Sequence, residues 1–443
     1  MAEVTAAASE ATRADHAVQA TLRLLDELFE SFDNPDFAVR LWDGTEWGLD
    51  PGRARVTLVL PLPGSLRRFL STPSEAHLAE CYMHGTVDVD GDLEAIIPMG
   101  DWLLRRPRTV RERLRLGYHL ARLPGLREGA RGGNGRAPAR LQGREHSRRR
   151  DRTAVTYHYD VSNRFYSLWL DRHMAYSCAL FARPDEDLDA AQQRKLDYVC
   201  RKLRLRPGER LLDIGCGWGG LLRHAGQHYG VEALGITLSR PQAEEANRRL
   251  AAAGLASTCR AEVCDYRDLS PADRFDKVVS IGMVEHVGRE QLGTYFGEAW
   301  KLLRPGGTFL NHGIADQPGR PAKTRGGFID TYIFPDGDLP PLPFLLETAE
   351  QRGFEIRDVE SLREHYALTL RHWGRRLQDR RAEAVDEVGE AVYRTWRLYM
   401  AGCAYWFDRG NISVYQALLH KARRGPTGLP LLRSDWYRPP LEG

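Results

Sequence analysis

The sequence predicts an α/β chain: a mostly parallel, doubly wound sheet covered on both faces, preceded by a smaller α+β domain. Three observations carry this prediction. From Thr153 onward, apolar strand-like runs at 211–214, 231–237, 276–281 and 307–310 alternate with helical segments near 219–229, 241–253, 289–303 and 343–352. Such alternation builds parallel sheets through crossover helices. At the first run, Leu211-Leu212-Asp213-Ile214-Gly215-Cys216-Gly217-Trp218-Gly219 climbs through an acid into three glycines at alternate positions. Before residue 123 the pattern differs, with short strand-like pieces punctuated by Asp-Gly and Pro-Gly.

Taken in order, Val18, Leu22, Leu25 and Phe29 recur as on one face of a helix over 13–30. Val39 to Thr45 and Arg53 to Leu60 read as strands, and 64–104 as short helices and turns. Residues 1–123 are therefore expected to form the small α+β domain. The stretch 125–150 (GLREGARGGNGRAPARLQGREHSRRR) is rich in Gly, Arg and Pro and poor in large apolar groups. It predicts a disordered basic linker over 124–152. Residues 153–443 are expected to form the second domain, closing with a helical region over 363–422.

Composition narrows the class. Of 443 residues, 42% are hydrophobic and 28% charged, as in ordinary globular proteins. No run approaches the ~18 apolar residues of a transmembrane helix. The first 20 residues lack the layout of a secretion signal, and seven cysteines are scattered with no C-x-x-C pair. A reducing compartment is expected, without zinc or a disulfide framework. Net charge is +3, yet 105–152 holds 16 Arg against four acids, an excess of 12. That run predicts either a solvated linker or attraction to anionic phosphate surfaces. No aromatic-interleaved motif accompanies it, so nucleic acid is not expected.

The glycine turn is the first candidate site. Its spacing G-x-G-x-G differs from the dinucleotide fingerprint G-x-G-x-x-G. It resembles motif I of class I S-adenosylmethionine (SAM) methyltransferases. At the exit of the next strand stand Thr237-Leu238-Ser239 and Pro241-Gln242. Ser239 is a ready helix cap, while Gln242 can reach a ribose diol. Cys264-Asp265-Tyr266 follows the third strand, where a carboxylate and a ring can meet an adenine. Glu285 and His286 lie just past the fourth strand, one expected to face the cleft and the other the fold. His312 ends the next strand. Upstream, Tyr157-His158-Tyr159 and Tyr176-Ser177-Cys178 form an aromatic-rich segment that can fold over the sheet. Cys178 reads as a nucleophile or as a buried spectator, since no neighbour in sequence lowers its pKa.

With these pieces in place, the chain resembles the cyclopropane-fatty-acyl-phospholipid synthases and the related mycolic acid cyclopropane synthases. The likeness rests on HYDVSNRFY (158–166), AYSCALF (175–181), LLDIGCGWGG (211–220), GITLSRPQ (235–242), CDYRDL (264–269), SIGMVEHVG (280–288) and NHGI (311–314). It continues through YIFPDGDLP (332–340), SLREHYALTLRHW (361–373) and a YMAGCAYWF…ISVYQALLHK pattern (399–421), with AECYMHG (79–85) extending it upstream. The resemblance implies a class I SAM-methyltransferase Rossmann-like sheet. It implies SAM contacts from Tyr176, Ser177, Asp213, Gly215, Gly217, Thr237, Leu238, Gln242, Asp265 and Tyr266. It also implies a bicarbonate ion as general base, held by Cys178, Glu285, His312, the backbone of Ile314, and Tyr366, with no metal. To hydrogen-bond an anion, Glu285 is expected to have a raised pKa.

The implied activity is methylene transfer from SAM to the cis double bond of an unsaturated phospholipid acyl chain, giving a cyclopropane. The alternative is SAM-dependent C-methylation that leaves a methylene or methyl branch, with a partner reductase. Rivals of other classes are a non-catalytic SAM-binding lipid module and a small-molecule methyltransferase. The expected partner is a bilayer met peripherally at the inner face of the membrane from the cytoplasm, the apolar stretch Leu339–Leu346 aiding acyl entry. A homodimer is expected from the family.

Overall fold

The computed structural model describes every residue except 1, 33–35, 50–52, 73, 126–136, 140, 160, 319–325, 424 and 438–443, and for 2–14 the backbone alone. The chain divides into two compact units.

The first unit takes 1–138, 325–332 and 388–402. It contains α1 (Ala2–Phe29), β1 (Phe37–Arg40), β2 (Glu46–Gly48), β3 (Val56–Val59), α2 (Ser65–Phe69), α3 (Glu75–Met83), β4 (Asp88–Gly91), α4 (Ile97–Arg105) and α5 (Val110–Arg122). The strands order as β2-β1-β3-β4, with β1 and β3 parallel and the other pairs antiparallel. Val18, Leu25 and Phe29 turn their helix face into this sheet's core beside Phe37, Val39, Val56 and Leu58, as the periodicity predicts. Each such fully buried side chain contributes about 1.5–3 kcal/mol.

The second unit takes 139–324, 333–387 and 403–443. Its elements are α6 (Arg148–Tyr159), α7 (Asn163–Ser167), α8 (Leu188–Leu203), β5 (Arg210–Ile214), α9 (Gly220–Tyr229), β6 (Glu232–Thr237), α10 (Arg240–Ala252), β7 (Cys259–Val263), β8 (Phe275–Ile281), α11 (Leu292–Leu302) and β9 (Leu303–Asp316). After α12 (Phe328–Tyr332), which falls in the first unit, come α13 (Leu342–Gln351), β10 (Glu355–Ser361), α14 (Arg363–Asp379), α15 (Arg381–Val388), α16 (Glu390–Asp408), whose residues 390–402 fall in the first unit, and β11 (Ile412–His420). The sheet runs β10-β11-β9-β8-β5-β6-β7. The pairs from β9 to β7 are parallel, and β11 runs against both its neighbours. Strand order reverses at β5, which lies between β6 and β8. That reversal opens a crevice at the strands' carboxyl ends.

Two expectations need correction. The region 363–422 is not wholly helical, because 412–420 is strand β11. Its residues are buried on both faces except Tyr415, so the period-two alternation of a half-exposed strand is missing. The predicted linker 124–152 also ends differently. Residues 126–136 and 140 lie outside the described residues, while 148–159 is helix α6. Arg150 pairs there with Asp336 at 2.5 Å and Arg148 with Asp268 at 2.7 Å. Local composition reads as coil, but these ion pairs join segments far apart in sequence. Among the described residues, no helix is long and apolar enough to cross a membrane.

Candidate active site

The turn after β5 builds the floor of the site. Gly215 takes φ +87° and Gly219 φ +76°, conformations that side chains resist. A Cβ at Gly219 would also lie 2.9 Å from that of Ala246, so α9 and α10 approach closely only with glycine here. Ser239 caps α10 by accepting from the Gln242 N–H, as the sequence suggests, and Thr237 Oγ1 donates to Gln242 Oε1 at 2.8 Å.

A pocket opens over this turn, enclosing about 1140 Å³ of empty space with its solvent mouth included. All ten residues expected to contact SAM line it: Tyr176, Ser177, Asp213, Gly215, Gly217, Thr237, Leu238, Gln242, Asp265 and Tyr266. Asp265 is gripped twice by Arg267, at 2.8 and 2.6 Å. Against the upward push of burial, these bonds hold its carboxyl below the usual range. The same guanidinium reaches Asp151 on α6 at 2.9 Å. Asp151, Val155 and Tyr159 of α6 thereby border the pocket, placing the aromatic upstream segment over the sheet.

Of the adjacent pair, His286 borders the pocket and Glu285 is buried. Glu285 Oε1 accepts from the Ile314 N–H at 2.8 Å, and Oε2 is buried with no partner. Burial lifts its carboxyl to about 7, in spite of that hydrogen bond. His312 faces Gln416 through Nδ1 at 3.2 Å, and its Nε2 is buried without a partner. Burial drops its pKa to about 3, with Lys195 and Lys202 adding to the effect, so it is neutral at pH 7. With the Gln416 amide assigned to donate, the imidazole proton sits on Nε2.

Cys178 is fully buried and its thiol faces the carbonyls of Ala179 at 3.3 Å and Leu362 at 3.6 Å. Burial pushes it far up, which favours the protonated thiol over a thiolate nucleophile. The Leu362 carbonyl also accepts from the Tyr366 N–H, and the Leu362 N–H reaches Val414, which pairs with Ile314 across the sheet. Cys178, Tyr366, Ile314 and Glu285 are thus joined by one short run of backbone contacts. Tyr366 packs tilted against Phe407 at 4.7 Å between centroids and meets Trp373 edge-on at 6.0 Å. Trp373 in turn lies 5.2 Å from Tyr176 in the pocket wall. An aromatic path therefore runs from the pocket wall through Trp373 to Tyr366. Among the described residues, no cluster of His, Cys, Asp and Glu could hold a metal ion.

Sequence reasoning missed Lys195. It lies in the pocket wall, 2% exposed, and its Nζ donates to Ser177 Oγ at 2.9 Å. It shares a helix stripe with Leu188, Gln192, Val199 and Leu203, all buried. A lysine on the buried stripe of an amphipathic helix is the signal that could have found it. Burial lowers its pKa, while Asp171 and Asp213 support the charge. Burial lifts Asp213 to about 7, with Lys195 opposing. Trp373, Arg267 and Gln416 were missed likewise.

A model of the mycolic acid cyclopropane synthetase family matches residues 146–417. A second model, a domain of unknown function, matches 24–100. The chain is 42% identical over 404 residues to a probable fatty acid methyltransferase of Pseudomonas putida, covering 90% of this chain and 96% of that one. It is similar to the structure of a cyclopropane synthase from Mycobacterium tuberculosis, with 36% identity, TM-score 0.58, and 61% and 98% of the two chains covered. It is equally similar to a mycolic acid cyclopropane synthase crystallised with SAH and CTAB, with 36% identity, TM-score 0.57 and the same coverage.

Proposed function

This chain belongs to the mycolic acid cyclopropane synthetase family of SAM-dependent methyltransferases, and from that premise we propose that it cyclopropanates cis double bonds in phospholipid acyl chains. The observation that carries the proposal is the pair of orphaned buried atoms, Glu285 Oε2 just past β8 and His312 Nε2 on the neighbouring strand β9.

These residues fit a bound bicarbonate. A carboxyl lifted to about 7 is available as a neutral donor near pH 7. His312 offers an N–H on Nε2, and Ile314 an N–H that Glu285 now occupies. Cys178 and Tyr366 close the set. Bicarbonate, when bound, supplies a base of matched strength for a proton on the newly added methyl. SAM, when bound, supplies an electrophilic sulfonium methyl.

The chain's own residues do the rest. The turn at Gly215 to Gly219 positions the donor, and proximity replaces an improbable encounter with a weakly nucleophilic alkene. Tyr176, Trp373 and Tyr366 present ring faces, which stabilise cationic charge on the acyl chain. Their burial excludes water that would hydrolyse it. Glu285, kept neutral, adds no second negative charge to the anion site.

A second reading is favoured by the Pseudomonas putida relative, which spans both units and is named a probable fatty acid methyltransferase. In it a hydride shifts along the chain, so that the cation moves to the carbon bearing the new methyl, and loss of a proton from that methyl leaves a methylene branch. Incubation with SAM and liposomes of a cis-monounsaturated phospholipid, followed by proton NMR, separates the two. High-field ring protons support cyclopropanation. Vinylidene protons identify branching, and unmodified lipid rejects both.

A further inference from the structure

Helix α5 carries its apolar residues on the wrong side for a core. Val110, Leu114 and Tyr118, spaced by four, are 68%, 70% and 56% exposed. Its inner face holds only Leu116 and Leu120 against the first unit's core, with Arg115 and His119 anchored on Glu27. At ~100° per residue the outward stripe spans Val110, Leu114, Tyr118 and Ala121. Arg113 borders it on one side, and Arg111 and Arg122 on the other. Arg111, Arg113 and Arg122 are exposed. Arg122 lies over the Tyr118 ring at 4.8 Å, keeping that ring at the boundary between apolar and charged surface. The helix's one acid, Glu112, is turned back into a capping box with Thr109 and towards Arg106. The cap fixes the helix's start without any help from a partner.

An apolar stripe edged by arginines on both sides is built for one kind of surface. A second copy of this chain would set arginine against arginine. A nucleic acid backbone would use the arginines and leave Val110 and Leu114 in water. An anionic bilayer takes both: the stripe enters the acyl boundary while guanidinium groups reach lipid phosphates. We propose that the outward face of α5 is the membrane-docking surface of this protein, seated on anionic phospholipid. The proposal rests on the lipid reading above for the identity of its partner, and it goes further by naming the residues that dock.

The test uses the full chain and vesicles of equal parts phosphatidylglycerol and phosphatidylcholine, with phosphatidylcholine vesicles as contrast, in a flotation assay. The parent protein is expected to float with the anionic vesicles and to release with added salt. The triple variant Val110→Ser, Leu114→Ser, Tyr118→Ser is expected to bind on the order of tenfold more weakly. Arg111→Gln with Arg113→Gln is expected to lose a similar factor on anionic vesicles only. Because these side chains point to solvent, both variants should keep parental SAH binding, measured by calorimetry, which shows that they fold.

Parental vesicle binding by the triple variant would overturn the proposal, as would a parent that floats with neither vesicle. A triple variant that changes from dimer to monomer with vesicle binding intact would assign the stripe to a second copy and also overturn it. A parent that docks through α5 yet leaves the lipid unmodified would reject the proposed reaction and retain the docking surface.

Discussion

Lys195 Nζ donates to Ser177 Oγ at 2.9 Å inside the wall of the cofactor pocket, with both side chains buried. The bond ties α8 to the segment carrying Tyr176 and Cys178. It also places a cation within electrostatic reach of Asp213.

Replacing that lysine is expected to cost cofactor binding. Lys195→Met leaves the Ser177 hydroxyl unpartnered, an effect of about 1–3 kcal/mol, or roughly 5- to 150-fold in SAH affinity. It also removes the charge that opposes the upward shift of Asp213. Any binding that needs the ionised carboxylate should then move to higher pH. Calorimetric titration of SAH across pH checks both, and an affinity loss without a pH shift would reduce Lys195 to a packing role.

Glu285 makes a prediction about stability and its sign. Its folded pKa is near 7 against an ordinary 4.5. Between those values the folded state holds a proton that the unfolded state has released, so stability falls as pH rises through this window. Glu285→Gln cannot titrate. Relative to the parent, it should gain on the order of 2–4 kcal/mol between pH 4 and pH 8. Urea unfolding at both pH values measures the difference. The same variant is expected to lose about 10²-fold in kcat with SAH affinity unchanged.

Gln416 sets which His312 nitrogen carries the proton. Gln416→Glu, once ionised, presents only acceptors, which draws the proton to Nδ1 and leaves Nε2 without a donor. The expected outcome is loss of stimulation by added bicarbonate in carbonate-free buffer. Unaltered stimulation would separate His312 from the anion.

Arg267 clamps Asp265 and Asp151 together at the pocket's edge. Arg267→Ala frees both carboxylates, lets Asp265 return towards its usual pKa or above, and loosens α6. SAH binding is expected to weaken roughly tenfold or more, with faster amide exchange over 148–159 seen by mass spectrometry. Unchanged exchange would mean that the Arg150–Asp336 and Arg148–Asp268 pairs hold α6 without Arg267.

The fold class, the glycine turn and ten of the residues that border the pocket are legible in the sequence. Those features are local: an acid before alternating glycines, a serine before a proline-started helix, apolar runs at strand length. Each is set by backbone conformation and neighbours within a few positions, so it is written in the order of residues. The tertiary structure alone decided how Lys195 meets Ser177, how Gln416 faces His312, and how Trp373 bridges Tyr176 and Tyr366. It also turned 412–420 into a strand, since a segment buried on both faces has no alternation to read. These are contacts between segments far apart in the chain, selected by packing and by the need to partner buried polar atoms. Local periodicity carries no trace of them. On α5 the three-dimensional structure shows that Val110, Leu114 and Tyr118 look outward.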